Sequence, residues 1–268
     1  MGNVAKAVER LVESDLGRRA HMMGVDSLYW LSRRIDPRLN VGTFYAKLAT
    51  WLLRAGLAHE TLGPRLQKEP DGQVVDRNAV KGRRRFERLL ALGLTPDDVV
   101  VDFGCGTLRI GRYLIDYLKP GNYWGFDVNN EILDHARVTV AECGLEAKHP
   151  NIVMATRENL LACAAAGPRV IISIAVLIHL PPAEIEEFCR CIAMIANRNT
   201  VFFGNFSATT PSARTWGTWW SYAPDEVRTV FQRFLPDHHV STEVVTAKGR
   251  YRRATIYSAS VMASPRQA

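Results

Sequence analysis

Glycines and carboxylates stand at a spacing suited to a ligand that carries a ribose. In Val99-Val-Val-Asp-Phe-Gly-Cys-Gly-Thr-Leu-Arg-Ile-Gly111 an apolar run ends in Gly104, Cys105 and Gly106 and passes straight into a helical pattern. Glycine at such a turn lets a ligand approach the backbone and supplies torsions that other residues avoid. Asp102 lies within the run, and Asp127 ends the next one, Tyr123–Asp127. A carboxylate at that second strand end is placed to accept hydrogen bonds from paired ribose hydroxyls. His179 follows a further apolar run. It is the candidate general base, because imidazole titrates near neutral pH. Trp216, Trp219, Trp220 and Tyr222 cluster beyond it. Their flat apolar faces and polar edges suit a sugar ring or a planar ligand, although indoles also pack well against helices.

Two ligands compete for the glycine turn. A dinucleotide fingerprint reads G-x-G-x-x-G, its third glycine allowing helix and strand to pack closely. Here Arg109 takes that third position. S-adenosylmethionine has no pyrophosphate, so its loop tolerates the change, and Asp102 is placed to bind the methionyl ammonium through water. The chemistry favours S-adenosylmethionine. Arg109 has two readings, a contact to an anionic group of the cofactor or acceptor and a plain helix-surface charge.

The chain resembles the class I S-adenosylmethionine-dependent methyltransferases. Asp102-Phe-Gly-Cys-Gly-Thr107 is similar to the D-x-G-x-G-x motif of that family, and Gly125-Phe-Asp127 to its second acidic motif. Thr156-Arg-Glu-Asn-Leu160 resembles the segment that brackets adenine. Val176-Leu-Ile-His-Leu-Pro-Pro182 and Tyr222-Ala-Pro-Asp-Glu226 resemble two further segments in the family's order. The resemblance, over about residues 81–260, implies cofactor contacts from Asp102, Gly104, Cys105, Gly106, Arg109, Asp127, Val128, Arg157, Glu158, Asn159 and Ile174. It also implies that the segment holding the three tryptophans and Tyr222 helps form the acceptor pocket. Several positions depart from the family pattern. Thr156 stands where an acidic residue is common, Arg169 where an aspartate is common, and Ala196-Asn-Arg-Asn199 replaces a K-P-G-G turn.

These residues need a scaffold, and the patterning supplies one. Residues 1–75 read as a helical N-terminal extension that lids the pocket, and residues 76–268 as the methyltransferase domain. In the extension Val4, Val8, Leu11 and Val12 share one helical face, and Phe44, Leu48, Trp51, Leu52 and Ala55 another. Glu69-Pro-Asp-Gly72 is a turn signal at the boundary. Strands then alternate with helices. Strands are expected at 99–102, 123–127, 151–154, 170–175 and 200–204, and helices at 82–92, 112–118, 129–143, 182–196 and 225–234. Such alternation predicts a parallel sheet with right-handed crossovers. Two closing runs, 240–246 and 252–258, predict an antiparallel hairpin turning at Ala247-Lys-Gly-Arg250. The expected fold class is α/β, a Rossmann-like seven-stranded, mostly parallel sheet with a C-terminal antiparallel hairpin.

Composition bounds the rest. The five cysteines are odd in number and scattered, so neither a disulfide framework nor a metal site is expected. No apolar run is long enough to span a bilayer, and no secretory leader is evident, so a cytoplasmic location is expected. Residues 40–55 form a basic amphipathic pattern that suits either peripheral membrane contact or packing on the domain. The net charge of +7 is spread along the chain apart from Lys81–Arg88. A small-molecule or glycan acceptor is therefore expected rather than nucleic acid, for which no base-methylating segment is evident. O-methylation of a hydroxyl is the expected reaction. N-methylation of a small amine, a nucleic-acid target and a non-catalytic cofactor-binding scaffold are the alternatives.

Overall fold

The computed structural model describes residues 31–32, 34, 44, 66–68, 73–216, 219–251 and 254–266. Most of the predicted N-terminal extension and lid lies outside them. One part of it differs from expectation. Leu66–Lys68 (β1) and Val74–Asp76 (β2) pair antiparallel, Leu66 opposite Asp76. The Glu69-Pro-Asp-Gly72 turn signal thus falls between two strands instead of ending a helical region. Asp76 then accepts from the Asn78 N–H at 2.9 Å and caps α1, Arg77–Ala91. That cap starts the helix five residues before Gly82, where the apolar pattern begins.

The central sheet is built from β3 (Val100–Phe103), β4 (Tyr123–Asp127), β5 (Asn151–Met154), β6 (Val170–Ser173), β7 (Val201–Ala208), β10 (His238–Tyr251) and β11 (Ala254–Pro265). Their spatial order is β10-β11-β7-β6-β3-β4-β5. The strands from β5 to β7 pair parallel, whereas β11 runs antiparallel to both β7 and β10. This is the expected seven-stranded Rossmann-like arrangement. Chain order reverses between β3 and β6, so the crevice at their carboxyl ends is the topological switch point where open α/β sheets bind ligands.

Helices α2 (Gly111–Tyr117), α3 (Asn130–Glu142), α4 (Arg157–Ala165), α5 (Pro182–Ile195) and α6 (Pro224–Phe234) cover the sheet. One core cluster joins Val101, Phe126, Ile171 and Phe202 of the strands to Phe188 and Ile192 of α5 and Phe231 of α6. The other joins Val100, Tyr123 and Ile172 to Leu114 and Ile115 of α2 and Leu133 of α3. Alternate strand residues feed opposite faces, which is why the continuous apolar runs of β3 and β6 read as doubly covered strands.

Three local departures have physical causes. The closing hairpin is much longer than predicted, and Ala247–Arg250, expected as its turn, lies inside β10. Register shifts at Val244/Thr246 and Ala247/Gly249 absorb the glycine as bulges. His238, ahead of the predicted strand 240–246, is buried at the start of β10, its Nε2 2.9 Å from the Thr200 carbonyl oxygen. Arg169, at the atypical position before β6, reaches Asp98 Oδ2 at 2.9 Å and the Gly93 carbonyl at 3.3 Å. It staples the loop entering β3 to the loop entering β6, at the sheet edge remote from the crevice.

Candidate functional site

The glycine turn is shaped by both of its neighbours. Gly104 has φ +86° and Gly106 φ +55°, and two residues further on Leu108 holds φ +64° while fully buried. Left-handed torsion in a branched residue is costly and concentrates at sites that need a set backbone path. The backbone N–H groups of Gly104 and Cys105 both donate to the Phe126 carbonyl, at 2.8 and 2.9 Å. A Cβ on Gly104 would meet Val176 Cγ2 at 2.2 Å. The turn is therefore pressed directly against the segment after β6, across the switch point. A Cβ on Gly106 would meet no atom within 4 Å, so its side of the turn is open to a ligand. The Cys105 side chain is buried and lies beneath Gly125. Burial pushes its thiol pKa well up, and the residue shapes the turn through its backbone.

Asp127 ends β4 beside that turn. Its Oδ2 accepts from the Gly106 N–H at 3.1 Å and its Oδ1 from the Val128 N–H at 2.8 Å. Burial raises its pKa, and hydrogen bonds from the Val128, Gly106 and Asn129 amides oppose the rise. Each oxygen keeps acceptor capacity for a hydroxyl. Val128 beside it is exposed.

Asp102 is almost wholly buried, and Tyr123 donates its hydroxyl to Asp102 Oδ2 at 3.2 Å. Burial raises the Asp102 carboxyl to about 7, against the opposing pull of the Tyr123 hydrogen bond and the Arg109 and Arg85 charges. Arg85 is the functional candidate that sequence reasoning missed. It projects from α1 on the same side as Gly82, where a Cβ would meet the Arg109 carbonyl oxygen at 2.0 Å. The helix thus lies directly on the turn that carries Arg109. Burial, together with repulsion from Arg109, lowers the Arg85 guanidinium to about 10. Its Nη1 is buried with no hydrogen-bond partner among the described residues. A buried guanidinium N–H left without an acceptor is costly unless an acceptor completes it. Gly82, inside this basic helix, was the available signal: glycine in a helix marks close backbone approach.

The adenine-side candidates divide. Thr156 caps α4, accepting from the Asn159 N–H at 3.3 Å, so the position that departs from the family pattern serves the helix. Asn159 Nδ2 donates to the Met154 carbonyl at 3.0 Å, and Arg157 and Glu158 stand exposed at the helix start. Ile174 follows β6 and packs against the second core cluster.

On the other side of the switch point, Ala175 turns the chain at φ +64°, its N–H donating to Asn205 Oδ1 at 2.7 Å. A single 3-10 turn, Leu177–His179, follows. The His179 ring meets Trp219 edge to face with centroids 6.3 Å apart. Burial lowers the His179 pKa to about 4, so the ring is neutral at physiological pH. The tryptophan segment forms a hairpin of its own, β8 (Ala213–Trp216) and β9 (Trp219–Ser221), with Trp216 opposite Trp219 in register. Trp220 is partly buried against the first core cluster and stacks on Tyr222. Tyr222 is itself buried, and its hydroxyl donates to the Leu180 carbonyl. Tyr222 thus ties the hairpin to the His179 turn from within the core, leaving Trp219 as the aromatic beside the histidine. No group of three or more potential metal ligands occurs among the described residues.

Residues 100–199 match the family model described as a methyltransferase domain. The chain is similar there to methyltransferases, over the stretch that holds the glycine turn, Asp127 and His179. Its fold is shared by magnesium protoporphyrin IX methyltransferase from Synechocystis PCC 6803, solved with bound S-adenosylmethionine. That likeness has 18% identity, 70% of this chain, 79% of that chain and a TM-score of 0.51. The same protein with bound S-adenosylhomocysteine gives a TM-score of 0.52 at 18% identity, covering 70% of this chain and 83% of that one. The small RNA methyltransferase HEN1 matches at 14% identity over 69% of this chain and 25% of its own, with a TM-score of 0.50. At such identities the likeness speaks for the fold, which these proteins use on unrelated acceptors. No curated protein matches the sequence. No helix among the described residues is long and apolar enough to cross a membrane.

Proposed function

We propose that the enzyme O-methylates a hydroxyl of a small metabolite or sugar, held between the glycine turn and the Trp219–His179 wall. The observation that carries this reading is the contact of Gly104 with Val176. It sets the turn beginning the cofactor crevice against the segment that ends in His179, whose ring Trp219 of β9 meets edge to face. S-adenosylmethionine supplies an activated methyl on a sulfonium, so the protein's task is chiefly alignment.

The residues fit that cofactor. Asp102 and the unpaired Arg85 Nη1 offer opposite charges for a zwitterionic amino-acid end, ammonium to Asp102 and carboxylate to Arg85 with Arg109. Asp127 is proposed to take the ribose hydroxyls and the open face of Gly106 the chain between them. Val128, Arg157, Glu158, Asn159 and Ile174 remain proposed contacts of the adenine. Trp219 is proposed as a stacking surface for the acceptor, with Trp216 and Trp220 at the hairpin around it.

His179 is proposed to accept the acceptor's proton. Its lowered pKa leaves it deprotonated and ready at neutral pH, yet makes it a weak base. That weakness favours a second reading, methylation of an amine that reaches the site already deprotonated. The two separate on His179→Ala. With hydroxyl acceptors kcat is expected to fall about 100-fold or more, the ordinary contribution of a positioned base. With amines it is expected to hold within about threefold. A panel of labelled-methyl transfer assays on sugars, polyols and amines reads both. Turnover on oligonucleotides alone would overturn the small-acceptor reading.

A further inference from the structure

Tyr123 carries more than its place in the core requires. Its ring springs from the start of β4 and is flanked by two glycines, Gly125 of the same strand and Gly111 of α2. A Cβ on Gly125 would meet the ring Cε1 at 3.0 Å, and one on Gly111 would meet the hydroxyl oxygen at 2.3 Å. Both positions leave room for one fully buried phenol whose oxygen ends 3.2 Å from Asp102 Oδ2. A phenylalanine would fill the same space and satisfy the same core. What the hydroxyl adds is a donor to a carboxylate that has few others.

From this geometry we infer that Tyr123 is a positioning residue that holds Asp102 as an oriented carboxylate, ready for the ammonium of the cofactor. The inference rests on the proposal that Asp102 receives that ammonium. The groups facing Asp102 explain why a donor is needed. Asp127, from the end of β4, repels its charge; Arg109 from the turn and Arg85 from α1 attract it; burial works against it. The Cys105 thiol is neutral, its pKa being pushed well above the ordinary value by burial. Tyr123 is the neutral donor in this set, and its own pKa is raised, so it stays protonated and donating.

The consequence is a pH-dependent affinity. Only ionised Asp102 is competent, and apparent affinity scales with the competent fraction. Raising the carboxyl from about 7 by about one further pH unit, the scale expected for one lost hydrogen bond, predicts a specific pattern. Tyr123→Phe binds S-adenosylhomocysteine about twofold more weakly at pH 8, about fivefold at pH 7 and about ninefold at pH 6. Methylthioadenosine lacks the amino-acid end, and its affinity is unchanged at each pH.

The test is calorimetric titration of both nucleosides into the full chain, wild type and Tyr123→Phe, between pH 6 and pH 8. A loss equal at every pH, or one extending to methylthioadenosine, makes Tyr123 a packing residue only and overturns the inference. Should the variant fail to fold, tyrosine difference absorbance of the wild type decides. A pH-dependent change that follows the binding curve and vanishes in Asp102→Asn supports the inference; its absence overturns it. If the wild type binds neither nucleoside, the cofactor-site reading itself fails. Methylthioadenosine binding with no preference for S-adenosylhomocysteine leaves that site standing and removes this inference alone.

Discussion

The two sides of the switch point are built on different principles. The side formed by β3, β4 and α1 is polar at its heart. It holds Asp102, Asp127 and Arg85 among buried apolar residues, each tied to backbone or held by charge. The side formed by the segment after β6 and the β8–β9 hairpin is dominated by aromatic rings, and its imidazole, His179, is kept neutral by burial. In the proposed function, a fixed cofactor with a zwitterionic end justifies costly buried charge on the first side. There, a variable acceptor is served by aromatic faces on the second, where shape can change without stranding an ion.

The contrast predicts where substitution hurts. The largest effect is expected from Gly104→Val. Side-chain atoms would strike Val176 at a backbone torsion that branched residues avoid. Cofactor binding is expected to vanish in titration, and thermal unfolding to show a loss of about 3 kcal/mol or more. Next is Arg85→Met, which should weaken S-adenosylhomocysteine at least tenfold and leave methylthioadenosine alone. The Arg85 Nη1, without a hydrogen-bond partner among the described residues, is the nitrogen proposed to meet the carboxylate of that ligand. A parallel loss for both nucleosides would break the assignment of the charged side.

Asp102→Asn sharpens the same point through stability. A carboxyl raised to about 7 binds more protons folded than unfolded between about pH 4 and 7. The free wild type therefore loses stability as pH rises through that window, and the asparagine variant should not. His179 has the opposite sign. Its folded pKa lies below the unfolded value, so stability falls as pH drops from about 6.5 towards 4. His179→Gln should flatten that limb in chemical denaturation. On the aromatic side, Trp219→Ala should raise acceptor KM about tenfold with little change in cofactor affinity. The smallest effect is expected from Arg169→Met, remote from the crevice. It exposes the cost of a half-exposed ion pair, about 1 kcal/mol or less, with unchanged kinetics.

The sequence was most legible where chemistry and backbone need coincide. Gly104, Gly106 and Asp127 stand in a local pattern because one turn makes every demand at once, and the alternation of strands and helices followed from periodicity. Arg85 was not legible, since it comes within range of the Asp102 charge only when α1 folds over the turn, and its own surroundings read as a basic surface helix. The Tyr123 hydroxyl was hidden for a similar reason: an apolar strand explains the ring without its oxygen. The burial of Tyr222 and its bond to the Leu180 carbonyl were not legible, because aromatic clustering does not say which ring enters the core. The β8–β9 hairpin and the full length of β10 and β11 depend on pairing partners distant in sequence, which local patterning does not report. The role of Arg169 likewise rests on Asp98, 71 residues away.

The central claim is that the glycine turn and Asp127 hold S-adenosylmethionine, and it is tested most directly by calorimetric titration of S-adenosylhomocysteine into wild type and Asp127→Asn. Micromolar binding by the wild type, weakened at least tenfold by the substitution while thermal unfolding stays cooperative, is the predicted result. Folded wild-type protein that binds neither S-adenosylhomocysteine nor S-adenosylmethionine, or an Asp127→Asn variant that binds as tightly as wild type, would contradict it.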